Sequence, residues 1–149
     1  MWRRRAGLLA LVLAAGLLAG FVLVRIAPDT PPEQTPPAQA TRTLDEMDAA
    51  IEREPDDPGL YVERGKLILL IYEWDRALAN FNQALELDPG FAEAYYQRGL
   101  LYASAPDGTD ETRSLAIADF RRFLDLVPGD TRAQRAADYI QRLAAALEG

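Results

Sequence analysis

Residues 58–90 read PGLYVERGKLILLIYEWDRALANFNQALELDPG and residues 91–129 read FAEAYYQRGLLYASAPDGTDETRSLAIADFRRFLDLVPG. Laid over one another, each has a tyrosine (Tyr61, Tyr95), an Arg-Gly pair (Arg64-Gly65, Arg98-Gly99) and an apolar or aromatic residue beyond it (Ile68, Tyr102). Each then has an alanine followed four residues later by phenylalanine (Ala77 and Phe81, Ala116 and Phe120) and a closing proline (Pro89, Pro128). Pro55 and Pro89 are 34 residues apart, and Pro89 and Pro128 are 39 apart. A period of this size marks units that cannot bury their apolar faces alone and must stack. Gly65 and Gly99 remove a side chain where two antiparallel helices approach, Ala77 and Ala116 keep the facing helix small, and Phe81 and Phe120 fill the space beside them. Proline cannot continue a helix, so Asp88-Pro89-Gly90 and Val127-Pro128-Gly129 read as sharp turns.

These residues resemble the tetratricopeptide repeat, whose pattern is an aromatic, a glycine four residues on, a second aromatic, then Ala-x-x-x-Phe and a closing proline. The resemblance implies an all-α fold, a short superhelix of antiparallel helix pairs. Before the two full units (58–90 and 91–129), residues 43–57 match only the second half of one, with Met47, Ala50, Ile51 and Pro55 in register and Thr43…Glu46 as a capping box. After them, residues 131–147 carry Ala133, Ala136, Ala137, Ile140, Leu143 and Leu147 on one face and lack the glycine, as a capping helix would. Residues 43–149 thus form the repeat domain, with six helices expected in the soluble part.

The second unit is five residues longer than the first, and the excess falls in residues 104–110, SAPDGTD. Asp107, Asp110 and Glu111 fit no EF-hand spacing. A turn leading into an acidic helix N-terminus accounts for them better.

Ahead of the repeats, residues 6–24 (AGLLALVLAAGLLAGFVLV) are 19 consecutive uncharged residues behind Arg3, Arg4 and Arg5. A helix of that length matches a hydrocarbon core of about 30 Å, and flanking arginines stay cytoplasmic. Residues 1–26 are therefore read as an N-terminal transmembrane helix, the alternatives being an uncleaved or a cleaved signal. This makes the chain a single-pass membrane protein with a cytoplasmic N-terminus and a periplasmic or extracellular repeat domain. Arginine-over-lysine and alanine-rich usage suggest a bacterial source. Residues 27–42, with Pro28, Pro31, Pro32, Pro36 and Pro37 and no large apolar side chain, read as a semi-rigid linker.

The 149 residues contain no histidine and no cysteine, and Lys66 is the single lysine. That removes the usual ligands of zinc, haem and iron–sulfur clusters, the commonest general base and the thiol nucleophile. No enzyme activity, no cofactor and no metal are expected. Residues 41–149 hold 12 basic and 21 acidic side chains, a net of −9, which opposes a phosphate backbone, so no nucleic acid is expected.

A protein or peptide partner remains. The family resemblance implies a concave surface lined by the first helix of each pair: Val62, Lys66 and Leu69, then Tyr96, Leu100 and Ala103, continued by Arg132, Arg135 and Tyr139 on the capping helix. The basic residues would attract an acidic segment and the tyrosines anchor it. Equally, Leu69, Leu100 and Ala103 could pack within the superhelix and the basic residues be solvated. A subset of the family clamps a terminal carboxylate with Lys and Asn, and the matching places here hold Val62, Lys66, Tyr96 and Leu100, so that clamp is not expected. Two functions fit: a membrane-anchored interaction module acting as scaffold, assembly factor or chaperone-like adaptor, or a structural accessory subunit of a membrane complex held by its Gly16/Gly20 face.

Overall fold

The computed structural model describes residues 38–148, with side chains from Thr43 onward. They form six helices: α1 (Ala38–Arg53), α2 (Pro58–Leu69), α3 (Trp74–Leu87), α4 (Ala92–Ala103), α5 (Asp110–Leu126) and α6 (Ala133–Glu148). The fold is all-α, and each helix packs antiparallel on the next. Contacts are most extensive within α2/α3, α4/α5 and α5/α6 and narrower across α1/α2 and α3/α4.

Local chemistry sets the boundaries. Asp57 caps α2 by accepting from Gly59 N at 2.8 Å, with Pro58 in the first turn, where its missing N–H costs nothing. Asp88 makes the same contact with Gly90 N at 2.8 Å ahead of α4. Each proline turn is then tied to the helix it precedes: Tyr61 OH donates to Pro55 O at 3.0 Å and Tyr95 OH to Pro89 O at 3.2 Å. In the longer α4–α5 connection, Gly108 takes φ 49° and Thr109 caps α5 by accepting from Thr112 N at 3.2 Å. Asp110, in the first turn of α5, pairs with Arg113 at 2.7 Å.

Two packed centres result. Val62, Ile68, Ala77, Phe81, Ala84, Ala94 and Leu101 form the first. Tyr96, Ala116, Phe120, Phe123 and Ala136 form the second. In each, the phenylalanine lies against the glycine of the preceding helix, Phe81 on Gly65 and Phe120 on Gly99.

Three expectations need correction. Helix α1 starts at Ala38, inside the stretch read as linker, so Thr43 and Glu46 lie within the helix and do not form its N-terminal capping box. Ala38-Gln39-Ala40 are good helix formers, and they extend the helix back to the residue after Pro37. Next, the single-pass membrane placement, with a periplasmic or extracellular domain behind a transmembrane helix, is not upheld. None of the described helices is long and apolar enough to cross a membrane. The longest, α5, has 17 residues, short of the about 20 apolar residues a span requires, and it carries charge along its length. Residues 6–24, on which that placement was read, lie outside the described residues, as do the Gly16/Gly20 pair and most of the segment 27–42. Third, Val62 and Tyr96, expected on an exposed binding face, are buried.

Candidate protein-binding face

Among the described residues, α2 touches α4 and α4 touches α6, whereas α1, α3 and α5 do not reach one another. The stack therefore curves with α2, α4 and α6 along the inside. That wall holds the residues singled out from the sequence, in unequal states.

Val62 is 1% exposed and belongs to the first packed centre. Tyr96 is 3% exposed, with its ring centroid 4.9 Å from that of Phe123 and 5.9 Å from that of Phe120. Both were expected to face a ligand, and both are core residues instead. In a stack this short, α4 covers the inner side of α2 and α6 covers that of α4, so those positions are filled by the neighbouring helix. Leu69 is half-buried against the first centre, and Leu100 and Ala103 are half-buried against the second. Tyr139 is half-buried and stacks on Phe120, centroids 5.0 Å apart and planes 15° from parallel. Lys66 pairs with Glu63 at 2.8 Å, and Arg135 is exposed.

Arg132, immediately before α6, is the best-held cation of this wall. Its guanidinium lies 4.7 Å from the Tyr96 ring centroid and 5.2 Å from that of Phe123. Nη1 donates to Glu93 on α4 at 2.5 Å, while Nε and Nη2 donate to the two carboxylate oxygens of Asp130, each at 2.9 Å. The hydrogen bonds to Asp130 raise the Arg132 pKa above its ordinary value. The same contact, with a further bond from the Arg132 backbone N–H, holds the Asp130 carboxyl down to about 2. Arg132 thus closes the inner side of the second centre and is not a free contact for an acidic ligand.

Three features of this region escaped the sequence reading. Glu93 and Asp130 anchor Arg132, and Gln97 extends the network by donating to Glu93 at 2.7 Å. The third feature is a ladder of arginines. Arg64 Nε donates to Asn80 on α3 and Nη1 to Asp48 on α1, both at 2.7 Å. Arg98 repeats this with Asp119 on α5, bidentate at 2.8 Å, and Asn82 on α3 at 2.7 Å. Asn80 and Asp119 each stand nine residues before a repeat proline, and Asp48 and Asn82 each stand seven before one. The signal was therefore present in the period. The hydrogen bond from Asp119 raises the pKa of Arg98.

Residues 73–105, from the start of α3 to just past α4, match the family model described as TPR repeat. The first TPR of Spaghetti (RPAP3), solved bound to an HSP90 peptide SRMEEVD, superposes with a TM-score of 0.63 at 20% identity, covering 74% of this chain and 82% of that one. The chain has the tetratricopeptide-repeat fold. The TPR2B domain of yeast Sti1, solved in a complex with pHsp70, has a TM-score of 0.58 with this tetratricopeptide-repeat fold at 19% identity, covering 72% of this chain and 85% of that one. In sequence, the chain is 30% identical over 134 residues to the Protein SGT1 homolog of Bos taurus, across 86% of this chain. It spans 37% of that protein's length. A eukaryotic relative gives no support to the bacterial source suggested by composition.

Proposed function

We propose that this tetratricopeptide-repeat chain is a protein-interaction module, an adaptor or scaffold without catalytic activity that grips a segment of a protein partner along its inner curve. In this reading residues 58–90 and 91–129 are full units, 43–57 a half unit and 131–147 a cap. The observation that supports it is the adjacency of α2, α4 and α6, the helices that carry Lys66, Leu69, Leu100, Arg135 and Tyr139. Two solved structures of the same fold hold an HSP90 peptide and pHsp70 respectively, and an adaptor role toward partners of that kind is consistent with this.

The wall differs from a carboxylate clamp in its chemistry. Val62 and Tyr96 are packed away, Leu100 is apolar and Arg132 is already bonded to Glu93 and Asp130. The remaining surface is half-buried apolar area edged by Lys66 and Arg135, which suits an apolar segment with an acidic flank.

The test is crosslinking and co-purification of the full chain beside a Lys66→Glu, Arg135→Glu variant, with Arg121→Glu, on the exposed side of α5, as control. Loss of a partner with the double variant and its retention with the control supports the reading. Retention of every partner by the double variant refutes it.

A further inference from the structure

The inner face has a register of its own. Counting forward from the repeat prolines, Lys66, Leu100 and Tyr139 stand eleven residues after Pro55, Pro89 and Pro128 respectively. One helical turn further on, Leu69, Ala103 and Arg142 stand fourteen residues after the same prolines. Equivalent positions of stacked repeats fall in rows that run across the helices, so these side chains form two neighbouring rows over α2, α4 and α6. Helix α4 touches both α2 and α6, which do not touch each other among the described residues. Leu69, Leu100, Ala103 and Tyr139, all half-buried, make the body of the rows apolar, and a cation stands at each end, Lys66 on α2 and the exposed Arg142 on α6.

Both cations are held in ways that leave them open to a carboxylate. Lys66 pairs with Glu63 at 2.8 Å, but the two side chains are 39% and 57% exposed, and a surface pair of that kind is weak enough to be exchanged for another. The Arg142 guanidinium lies 4.7 Å from the Tyr139 ring centroid, and its Nε donates to the backbone oxygen of Asp138 at 3.2 Å, contacts that fix its place without neutralising its charge. Arg132, by contrast, is bonded to two carboxylates. Residues 41–149 carry a net charge of −9, so an apolar strip with a cation at either end stands out from the rest of the surface. Packed helix axes lie about 8–10 Å apart, which separates α2 from α6 by about 16–20 Å across α4, the reach of about five residues of extended chain.

We infer that the inner face takes an internal, extended segment of a partner protein that carries two acidic residues about five positions apart with apolar side chains between them. One carboxylate pairs with Lys66 and the other with Arg142, while the apolar side chains cover Leu69, Leu100 and Ala103. Each cation meets a side-chain carboxylate, so no chain terminus is needed. The inference rests on the inner-curve reading given above and adds to it the pattern of the ligand. Residues 1–42 of this chain do not carry that pattern: their two acidic side chains are Asp29 and Glu33, with only Thr30, Pro31 and Pro32 between them.

The probe is a fluorescent peptide, DVTVTD, with neither end charged, titrated into the full chain and read by anisotropy. Saturable binding is expected, weakened about tenfold or more by Lys66→Glu, by Arg142→Glu, and by bringing the acids together in DDVTVT. On the Lys66→Glu protein, one of the charge-swapped peptides KVTVTD and DVTVTK is expected to bind within about threefold of the original, and which of them does so gives the direction of the segment. Unchanged melting temperatures of the two protein variants show that the fold is intact. No saturable binding, indifference to either variant or to the spacing of the acids, rescue by neither swapped peptide, or a gain of about tenfold from a free terminal carboxylate overturns the inference. A dimer in sedimentation that Lys66→Glu abolishes also overturns it, because a second copy then fills the face. If the Lys66→Glu, Arg135→Glu variant loses its partner while the peptide titration fails, the ligand pattern falls and the inner-curve reading stands; retention of every partner by that variant removes both.

Discussion

Gly65 and Phe81 meet so closely that a Cβ on the glycine would stand 2.6 Å from Cε1 of the ring and 3.0 Å from Cδ1. Phe81 is fully buried, and a contact that short is met only by shifting the ring or the helix. At Gly99 the same construction leaves 3.1 Å to Cε1 of Phe120, a clash that a few tenths of an ångström relieves. Alanine in a helix gains about 0.5–1 kcal/mol over glycine, whereas overpacking a core costs about 1–3 kcal/mol. Gly65→Ala is therefore expected to destabilise by about 1–2 kcal/mol and Gly99→Ala to be close to neutral. Urea titration of the two variants checks this, and equal effects would refute the difference in fit.

The Asp119 carboxylate, with its side chain 7% exposed, is held by Arg98 in a bidentate pair. Removing one partner of such a pair strands the other charge, at about 3–5 kcal/mol for full burial, and Arg98→Met is expected near the lower end because Arg98 itself is 21% exposed. Adding Asp119→Leu should recover most of the loss, since a matched apolar pair leaves no charge unpaired. Thermal melts of the single and double variants decide it.

Tyr72, in the α2–α3 turn, has φ 60° and is 75% exposed. A side chain in the left-handed region costs about 1–2 kcal/mol, and glycine gives back about 0.5–1 kcal/mol of that through the freedom it adds to the unfolded chain. Tyr72→Gly is expected to raise stability by about 0.5–1 kcal/mol, while Tyr72→Ala, with the same backbone penalty, should not. A destabilised glycine variant would mean that the exposed ring makes a contact worth more than the strain.

Asp130 titrates at about 2 because Arg132 bonds to its carboxylate. A carboxyl whose pKa is lowered on folding adds stability above its ordinary pKa, 3.8, and that contribution fades as pH falls toward about 2. The stability gap between the parent chain and Asp130→Asn should therefore be widest above about pH 4 and close on acidification. A gap that stays constant from neutral to acid pH would show that Asp130 acts through its neutral hydrogen bonds alone.

What the sequence disclosed is mostly what recurs with the period, although the arginine ladder recurs too and was not read from it. The glycine–phenylalanine contacts, the proline turns and the capped start of α5 recur or use local chemistry, and they were legible. The burial of Val62 and Tyr96 was not, because it depends on how many helices follow along the inner wall, and that is a property of the whole stack. The left-handed Tyr72 carries no residue signal, since tyrosine is an unusual choice there. Helix α1 begins ahead of the capping-box pattern at Thr43 because Ala38-Gln39-Ala40 are themselves good helix formers. On the inner wall, Lys66 and Arg135 could be named from position, but the capture of Arg132 by Glu93 and Asp130 joins residues 39 apart and has no local trace.

Arg64, Arg98 and Arg132 between them bond to groups on α1, α3, α4 and α5 and in the α5–α6 turn, so each neighbouring pair from α1 to α5 shares a guanidinium and the turn before α6 is tied to α4. Arrays of repeats ordinarily open one layer at a time, because each layer meets only its neighbours through apolar contact. Here, separating any neighbouring pair from α1 to α5 forfeits a charge-assisted bond. The backbone amides of α2 to α5 should accordingly exchange with deuterated solvent as one cooperative block, with α6 releasing its protons earlier only toward its C-terminal end, beyond the reach of Arg132.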